Sequence, residues 1–440
     1  MDEKKTKNVN DELDDSKYSM STHLIYGKNV SNKWDYSHHV TAPISSSTTF
    51  RLDSVERGAA GFMQFAQTEK HGKDSPIFIY DRLGEPNKDM LEENLAHIEK
   101  GEMAVSFASG MGAISAVLGI LTKTGDEIIT HTTLYGCTIS LFNNWYPNYG
   151  IGVKPIDLRN LQTLLNTITS NTKVIYFETP ANPNLDIIDI PALSELIRDV
   201  NQERDAEHQI RIVVDNTFAT PFCQRPLELG ADFVVHSLTK GIGGFGADMG
   251  GVAIGRNEFR DMLLLYRKDF GAVLNTKSAW AILTYGLPSL HLRQKQQITS
   301  AKRIAEYLEN HPKIDFVNYP GLESFKGHDL AKKQMIDFDG NFAPGSMIYF
   351  VLKGETPQQS KVNGGKFMDY VADHAYTMTL AVSLGHTRTL IEHPASMTHS
   401  VVPPEELEER GLNAGGVRLA IGLEKVEDLL MDLDDCLKAI

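Results

Sequence analysis

Cysteine is scarce in this chain, with three residues in 440. So few cannot form a disulfide scaffold, and the scarcity fits a reducing compartment. A basic excess is also missing. Lysine and arginine number 43 against 57 acidic residues, a formal net charge of −14. Neutralising a polyanion needs surplus cations, so neither nucleic acid nor an anionic membrane is expected as a partner. A small local anion site remains compatible with that balance. A targeting segment is lacking too. Met1-Asp2-Glu3-Lys4-Lys5 opens a stretch that stays polar through Lys17, without a signal peptide's apolar run or a transit peptide's acid-poor bias. Met103–Leu121 carries no charge and approaches the ~20 residues of a membrane span. Yet it holds three serines and three glycines, and Ser109-Gly110-Met111-Gly112 reads as a turn between a strand and a helix. The expectation is a cytoplasmic protein. Metal patterns are absent as well. Cys137, Cys223 and Cys436 are scattered, and the adjacent His38-His39 suits loop surface better than chelation. His131, His393 and His399 read as side chains that orient local backbone, so no metal is expected.

What the chain does have is ordinary globular material, 41% hydrophobic and 23% charged. At ~150 residues per domain, its length accommodates two or three domains. Residues 1–70 read as a tail and an extended arm, the arm running from Val40 to about Gln67. Residues 68–76 read as a surface loop. Residues 71–270 form the large domain. Asn87 is placed to cap a helix carrying Leu91, Leu95 and Ile98, stopped by Gly101. Short apolar runs at Val105–Phe107, Glu127–Thr130, Lys173–Phe177, Arg211–Val214 and Phe233–Val235 alternate with helical patterns, one starting at Pro191. That alternation predicts an α/β fold with a mainly parallel sheet. Residues 271–440 mix long amphipathic stretches with isolated strands such as Met347–Leu352, which predicts a smaller α+β C-terminal domain.

Ligands of parallel sheets gather beyond the carboxyl ends of the strands. The residues following three of the runs are Glu178-Thr179-Pro180-Ala181-Asn182-Pro183, Asp215-Asn216-Thr217 and His236-Ser237-Leu238-Thr239-Lys240. The last continues into a glycine-rich stretch. There Gly241, Gly243 and Gly246 spell GxGxxG, which raises an NAD-dependent dehydrogenase as a remote alternative. A dinucleotide fingerprint must open a helix, whereas Gly250–Gly255 reads as another strand. The other reading is a lysine that forms a Schiff base with a cofactor aldehyde. Pyridoxal 5′-phosphate (PLP) needs a carboxylate at its pyridinium nitrogen, for which Asp215 is the candidate. It needs phosphate donors, available from the amides of Gly110 and Met111 and the hydroxyls of Ser237 and Thr239. It gains from an aromatic face, for which Tyr135 is available. Singly, Asp215 could be a strand-end cap, Tyr135 a core aromatic and Lys240 a surface lysine. Jointly they supply the parts of one cofactor site.

These segments together resemble the Cys/Met-metabolism family of PLP enzymes, the group of cystathionine γ-synthase, cystathionine lyases, O-acetylhomoserine sulfhydrylase and methionine γ-lyase. The likeness runs from about Ala42 to the C-terminus. It includes Tyr80-Asp81-Arg82-Leu83-Gly84, Ser383-Leu384-Gly385, His393-Pro394-Ala395-Ser396-Met397-Thr398-His399 and Val417-Arg418-Leu419. The resemblance implies fold type I, the aspartate-aminotransferase architecture, and a homotetramer of two active dimers. It makes Lys240 the Schiff-base lysine and proton shuttle, Asp215 the pyridinium partner and Tyr135 the stacking ring. Asn182 and Thr217 join the cofactor contacts. Gly110, Met111, Ser237 and Thr239 hold the phosphate, with Tyr80 and Arg82 reaching it from a neighbouring subunit. Arg418 and the Ser383 region hold the substrate carboxylate.

Some residues depart from the family pattern. Gly241 replaces an aromatic residue after the lysine, Phe245 stands where His is common, Glu85 stands where Asn is usual before Pro86, and the 68–76 loop is longer. Cys137 matches the cysteine of methionine γ-lyases, and Lys268-Asp269 resembles the pair that lyases place near the substrate. The implied reaction is α,γ-elimination on L-methionine or a related sulfur amino acid, giving methanethiol, 2-oxobutyrate and ammonia. The alternative is γ-replacement on O-acetylhomoserine. Tyr135 is expected to act as general acid, its phenol tuned by nearby cationic groups, with Cys137 shaping the site.

Overall fold

The structure, a computed structural model, describes residues 17–27, 39–65, 77–397 and 413–440. The tail before residue 17, His38, the 68–76 loop and His399 lie outside these ranges.

Among the described residues, twelve strands form two sheets. The first holds β1 (Met103–Phe107), β2 (Glu127–His131), β3 (Gly152–Ile156), β4 (Thr172–Glu178), β5 (Arg211–Asp215), β6 (Phe233–Ser237) and β7 (Gly251–Gly255) in the order β1-β7-β6-β5-β4-β2-β3. β3, β2, β4, β5 and β6 run parallel, and β7 is antiparallel to both of its neighbours. β1, β4 and β7 are buried along their whole length, as expected of a sheet covered on both faces. The second sheet holds β8 (Ile314–Asn318), β9 (Met347–Leu352), β10 (Met378–Leu380), β11 (Thr389–Glu392) and β12 (Gly416–Ala420) in the order β10-β11-β12-β9-β8. The uncharged stretch from Met103 divides into β1 and the helix Gly110–Leu121. Among the described residues, no helix is long and apolar enough to cross a membrane.

The helix over Leu91, Leu95 and Ile98 spans Pro86–Ile98 and buries those three side chains against the first sheet. Each is worth about 1.5–3 kcal/mol of burial. Its cap differs from the expectation. Glu85, not Asn87, is the N-cap, and its carboxylate accepts from the Asn87 and Lys88 amides. Pro86 occupies the first turn, where its missing N–H costs nothing. That leaves Asn87 inside the helix, where its Oδ1 accepts from the Ser45 amide at 2.7 Å.

The expected extended arm also differs. Val55–Gln64 is helical, capped by the Ser54 hydroxyl on the Arg57 amide. Its buried face carries Gly58 and Gly61 because space is short. A Cβ at Gly61 would stand 2.8 Å from an Ile77 methyl.

Candidate active site

The parallel register brings three chemically loaded strand ends together. Glu178 ending β4 stands beside Asp215 ending β5, and Asp215 pairs with Val235 two residues before the end of β6. The next segment of chain turns at Lys240, then loops through the glycines into β7. Gly246 therefore leads into a strand and not a helix, which removes the dinucleotide reading. A cavity of about 230 Å³ opens over these ends. Of the expected residues it is lined by Gly110, Met111, Tyr135, Asn182, Asp215, Thr217, Ser237, Thr239, Lys240, Ser383 and Arg418.

The helix Gly110–Leu121 points its N-terminus at this cavity. Ser109 caps it, the hydroxyl accepting from the Gly112 amide at 3.1 Å. The first amides of a helix have no partner within it, which makes such an end receptive to anions. Gly110 is pressed against β6, and a Cβ there would sit 2.9 Å from the Ser237 Cβ. Only glycine lets the helix end and β6 come this close.

Asp215 accepts from the Thr217 amide at 3.0 Å and faces the Tyr176 hydroxyl at 3.4 Å. Burial raises its pKa, the Thr217 contacts and His236 opposing that effect. A cationic ring nitrogen brought to this carboxylate would restore the charge balance that burial disturbs. Lys240 Nζ donates to Ser383 Oγ at 2.8 Å. Burial, then the nearby Arg418 guanidinium, lower its pKa and favour the neutral amine.

Arg418, on β12, is almost wholly buried. Its Nη1 donates to Asn182 Oδ1 at 2.9 Å and pairs with Glu392 at 3.1 Å, while Nη2 donates to the Ser383 carbonyl at 2.8 Å. The guanidinium lies over the Phe218 ring at 5.8 Å, and its Nε is buried without a hydrogen-bond partner. An anionic group entering the cavity would meet a cation already held in orientation. Phe218, Met249 and Val382, which carry no chemical signature in sequence, complete the apolar part of the wall.

Tyr135 overturns one expectation. Burial raises its phenol pKa, with the thiol of Cys137 and the carboxylate of Glu178 acting in the same direction and Arg418 opposing. The downward pull of the Arg418 cation is therefore outweighed, and the net shift is upward. Glu178 also accepts from the Tyr135 amide at 2.6 Å, which fixes the backbone there. Cys137 is exposed and pairs with the Tyr135 side chain.

Besides Cys137, four expected residues do not line the cavity of their own chain: Tyr80, Arg82, Lys268 and Asp269. They gather elsewhere. Arg82 Nη1 donates to the Lys268 carbonyl at 2.7 Å and its guanidinium lies 5.6 Å from the Tyr80 ring centre, while Lys268 pairs with Asp269 at 3.2 Å. The reason is topological. The segment 80–84 is anchored through Asp81, whose carboxylate holds the buried Lys88 ammonium at 2.7 Å, and through Leu83, whose carbonyl accepts from buried Arg267 at 3.2 Å. Among the departures, Gly241 is packed tightly, a Cβ there standing 2.7 Å from a Thr220 methyl, so an aromatic ring has no room. Phe245 is half exposed under the Arg293 guanidinium at 5.6 Å.

The residues present thus fit pyridoxal phosphate. They offer an amine with a lowered pKa, a buried carboxylate, an anion-receptive helix end closed by glycine, and a guanidinium with an unpartnered Nε. Comparison with known proteins agrees. Residues 21–438 match the family described as Cys/Met metabolism PLP-dependent enzyme. The L-methionine gamma-lyase of Fusobacterium nucleatum subsp. polymorphum is 42% identical over 97% of this chain and 100% of its own length. The cystathionine beta-lyase of Lactococcus lactis subsp. cremoris is 39% identical over 82% of this chain and 88% of its own. The structure of cystathionine gamma-lyase from Lactobacillus plantarum complexed with L-serine superposes with a TM-score of 0.81 at 30% identity, covering 96% of this chain and 99% of that one.

Proposed function

The chain belongs to the Cys/Met metabolism family of PLP-dependent enzymes, and from that premise we propose that it eliminates the γ-substituent of L-methionine or a close sulfur amino acid. The products are methanethiol, 2-oxobutyrate and ammonia. The observation that carries this reading is the convergence of Lys240, Asp215, Tyr135 and Arg418 on one cavity, with Cys137 beside the phenol.

Pyridoxal phosphate, when bound, supplies an electron sink for charge developing on the substrate carbons. Lys240 would attach it, and Asp215 would pair with its ring nitrogen. Tyr135 would stack on the ring, with Asn182 and Thr217 among the contacts. Gly110, Met111, Ser237 and Thr239 would hold the phosphate. Arg418, oriented by Asn182 and the Ser383 carbonyl, takes the substrate α-carboxylate. The lowered pKa of Lys240 makes its neutral amine available to take the Cα proton. The raised pKa of Tyr135 keeps its proton in place until a thiolate leaves the γ-carbon, so the phenol acts as a donor held in reserve. Tyr80, Arg82, Lys268 and Asp269 form a patch away from their own cavity, which supports a role at the site of another copy. We assign the protein as a cytoplasmic homotetramer of two such active dimers.

The test is a product assay on purified, cofactor-loaded protein given methionine, homocysteine, cystathionine, or O-acetylhomoserine with sulfide. Rapid 2-oxobutyrate and methanethiol release from methionine supports the proposal. No release from methionine, with robust replacement on O-acetylhomoserine, overturns it in favour of γ-replacement.

A further inference from the structure

Ser383 makes a second contact besides the one to Lys240. It adopts φ 94°, a left-handed conformation that a non-glycine residue rarely holds. This conformation follows β10 and presents the hydroxyl to Lys240 Nζ at 2.8 Å. On the other side of the same hydroxyl, His386 Nε2 lies at 3.3 Å. A hydroxyl has one proton to give. With a lone pair taken by the lysine N–H, that proton is directed at Nε2, so the neutral imidazole carries its hydrogen on Nδ1.

The ring is held from several sides. Gly246 comes so close that a Cβ there would be 2.6 Å from both Cε1 and Nδ1, and its φ of +69° is one that glycine tolerates. The last glycine of the misleading GxGxxG spelling thus has a packing reason. From the helix Leu287–Glu309, Gln297 donates to the His386 carbonyl at 2.9 Å. His386 is half-buried, between Lys240 and the surface. Burial and the Lys240 charge lower its pKa and keep it an acceptor. Lys240 is the charged group acting on the ring. On the helix behind, Arg293 is committed to the carbonyls of Gly241, Ile242 and Gly286.

We propose that His386 is a positioning residue for Lys240, orienting the amine through the Ser383 hydroxyl and accepting its surplus proton for delivery to solvent. In the step, one N–H bond of the Lys240 ammonium breaks as its proton passes to Ser383 Oγ. The Ser383 O–H proton passes simultaneously to His386 Nε2. Lys240 becomes a neutral amine, His386 an imidazolium, and the imidazolium releases its Nδ1 or Nε2 proton to water. The positive charge moves outward, and no other reactant is needed.

The inference rests on Lys240 being the proton-carrying base, so the test separates the two. Exchange of the Cα hydrogen of L-norleucine, a methionine-shaped amino acid without a leaving group, is followed by NMR in D2O. In cofactor-loaded His386→Gln, which can accept a hydrogen bond but not a proton, exchange should slow about ten-fold, less than the 10²–10⁴ of a direct general base. The wild-type pH profile should break below neutrality, and the variant should lose that break. Unchanged exchange and profile overturn the proposal. If that variant does not fold, Gly246→Ala, which drives a methyl into the ring, carries the same test, and wild-type exchange there overturns it equally. Exchange persisting in Lys240→Ala would sink the lysine assignment and this inference with it. A readout without substrate or cofactor is the His386 ring titration by NMR in the cofactor-free full chain. Lys240→Ala should raise its midpoint, and an unmoved midpoint refutes the coupling.

Discussion

Replacing Glu85 by glutamine should reverse its effect on stability between acid and alkaline pH. Glu85 is fully buried as the cap of Pro86–Ile98, its two oxygens accepting from the Asn87 and Lys88 amides at 2.9 and 2.7 Å. Those bonds and the Lys88 charge favour the carboxylate. Burial outweighs them and pushes the pKa from an ordinary 4.5 up to about 7. Lys88 offers limited relief, because its ammonium is spent on Asp81. With the folded pKa above the unfolded one, the stabilising contribution is complete below the unfolded value. It is lost as pH rises through 7. At 1.36 kcal/mol per pKa unit, the ionised side chain costs folding about 3 kcal/mol by pH 8.5. Glutamine stays neutral but offers one acceptor oxygen where two are used, a loss of about 1 kcal/mol. The variant should therefore be about 1 kcal/mol less stable at pH 4, below the unfolded pKa, and about 2 kcal/mol more stable at pH 8.5. A chain of this size has an unfolding entropy that makes 1 kcal/mol about 1 °C in Tm. Paired thermal scans of the loaded proteins should then show the Tm difference changing sign across that interval. A difference that stays constant with pH would refute the burial argument.

Two further predictions concern the site. Gly110→Ala places a methyl 2.9 Å from the Ser237 Cβ; the fold should survive, while cofactor affinity falls about 10- to 100-fold, an effect of ~1.4–2.7 kcal/mol. Equilibrium titration of cofactor-free protein with pyridoxal phosphate measures it, and wild-type affinity would contradict the cradle. Mixing Arg82→Ala with Lys240→Ala, each inactive alone, should restore activity on reassembly if Arg82 serves another copy's cavity. Failure of well-exchanged mixtures to recover any activity would count against that assignment.

Several elements were open to sequence reading because their signals are local. Strand β9 was legible over its full length from an unbroken apolar run, and Met103–Leu121 was legible as strand, turn and helix from its serines and glycines. Asp215, Ser237 and Lys240 were recognisable because parallel strands present their following residues at one edge. The cap is Glu85 and not Asn87, although Asn87 is the stronger capping residue, because Pro86 fits the first helical turn. Asparagine's strong preference for caps was the competing signal.

By itself, the sequence determined the class of fold and the cofactor, since periodicity, turn chemistry and short motifs are properties of adjacent residues. Tertiary structure alone decided the contacts across long separations. Lys240 meets Ser383 across 143 residues, and Arg418 meets Asn182 across 236. It decided the upward direction of the Tyr135 shift and the downward direction of the His386 shift, because desolvation depends on what packs around a group. It also decided that Lys268 and Asp269 stand with Arg82 outside their own chain's cavity. Spacing along a chain does not say which distant side chain completes a hydrogen bond or how far a charged group is desolvated.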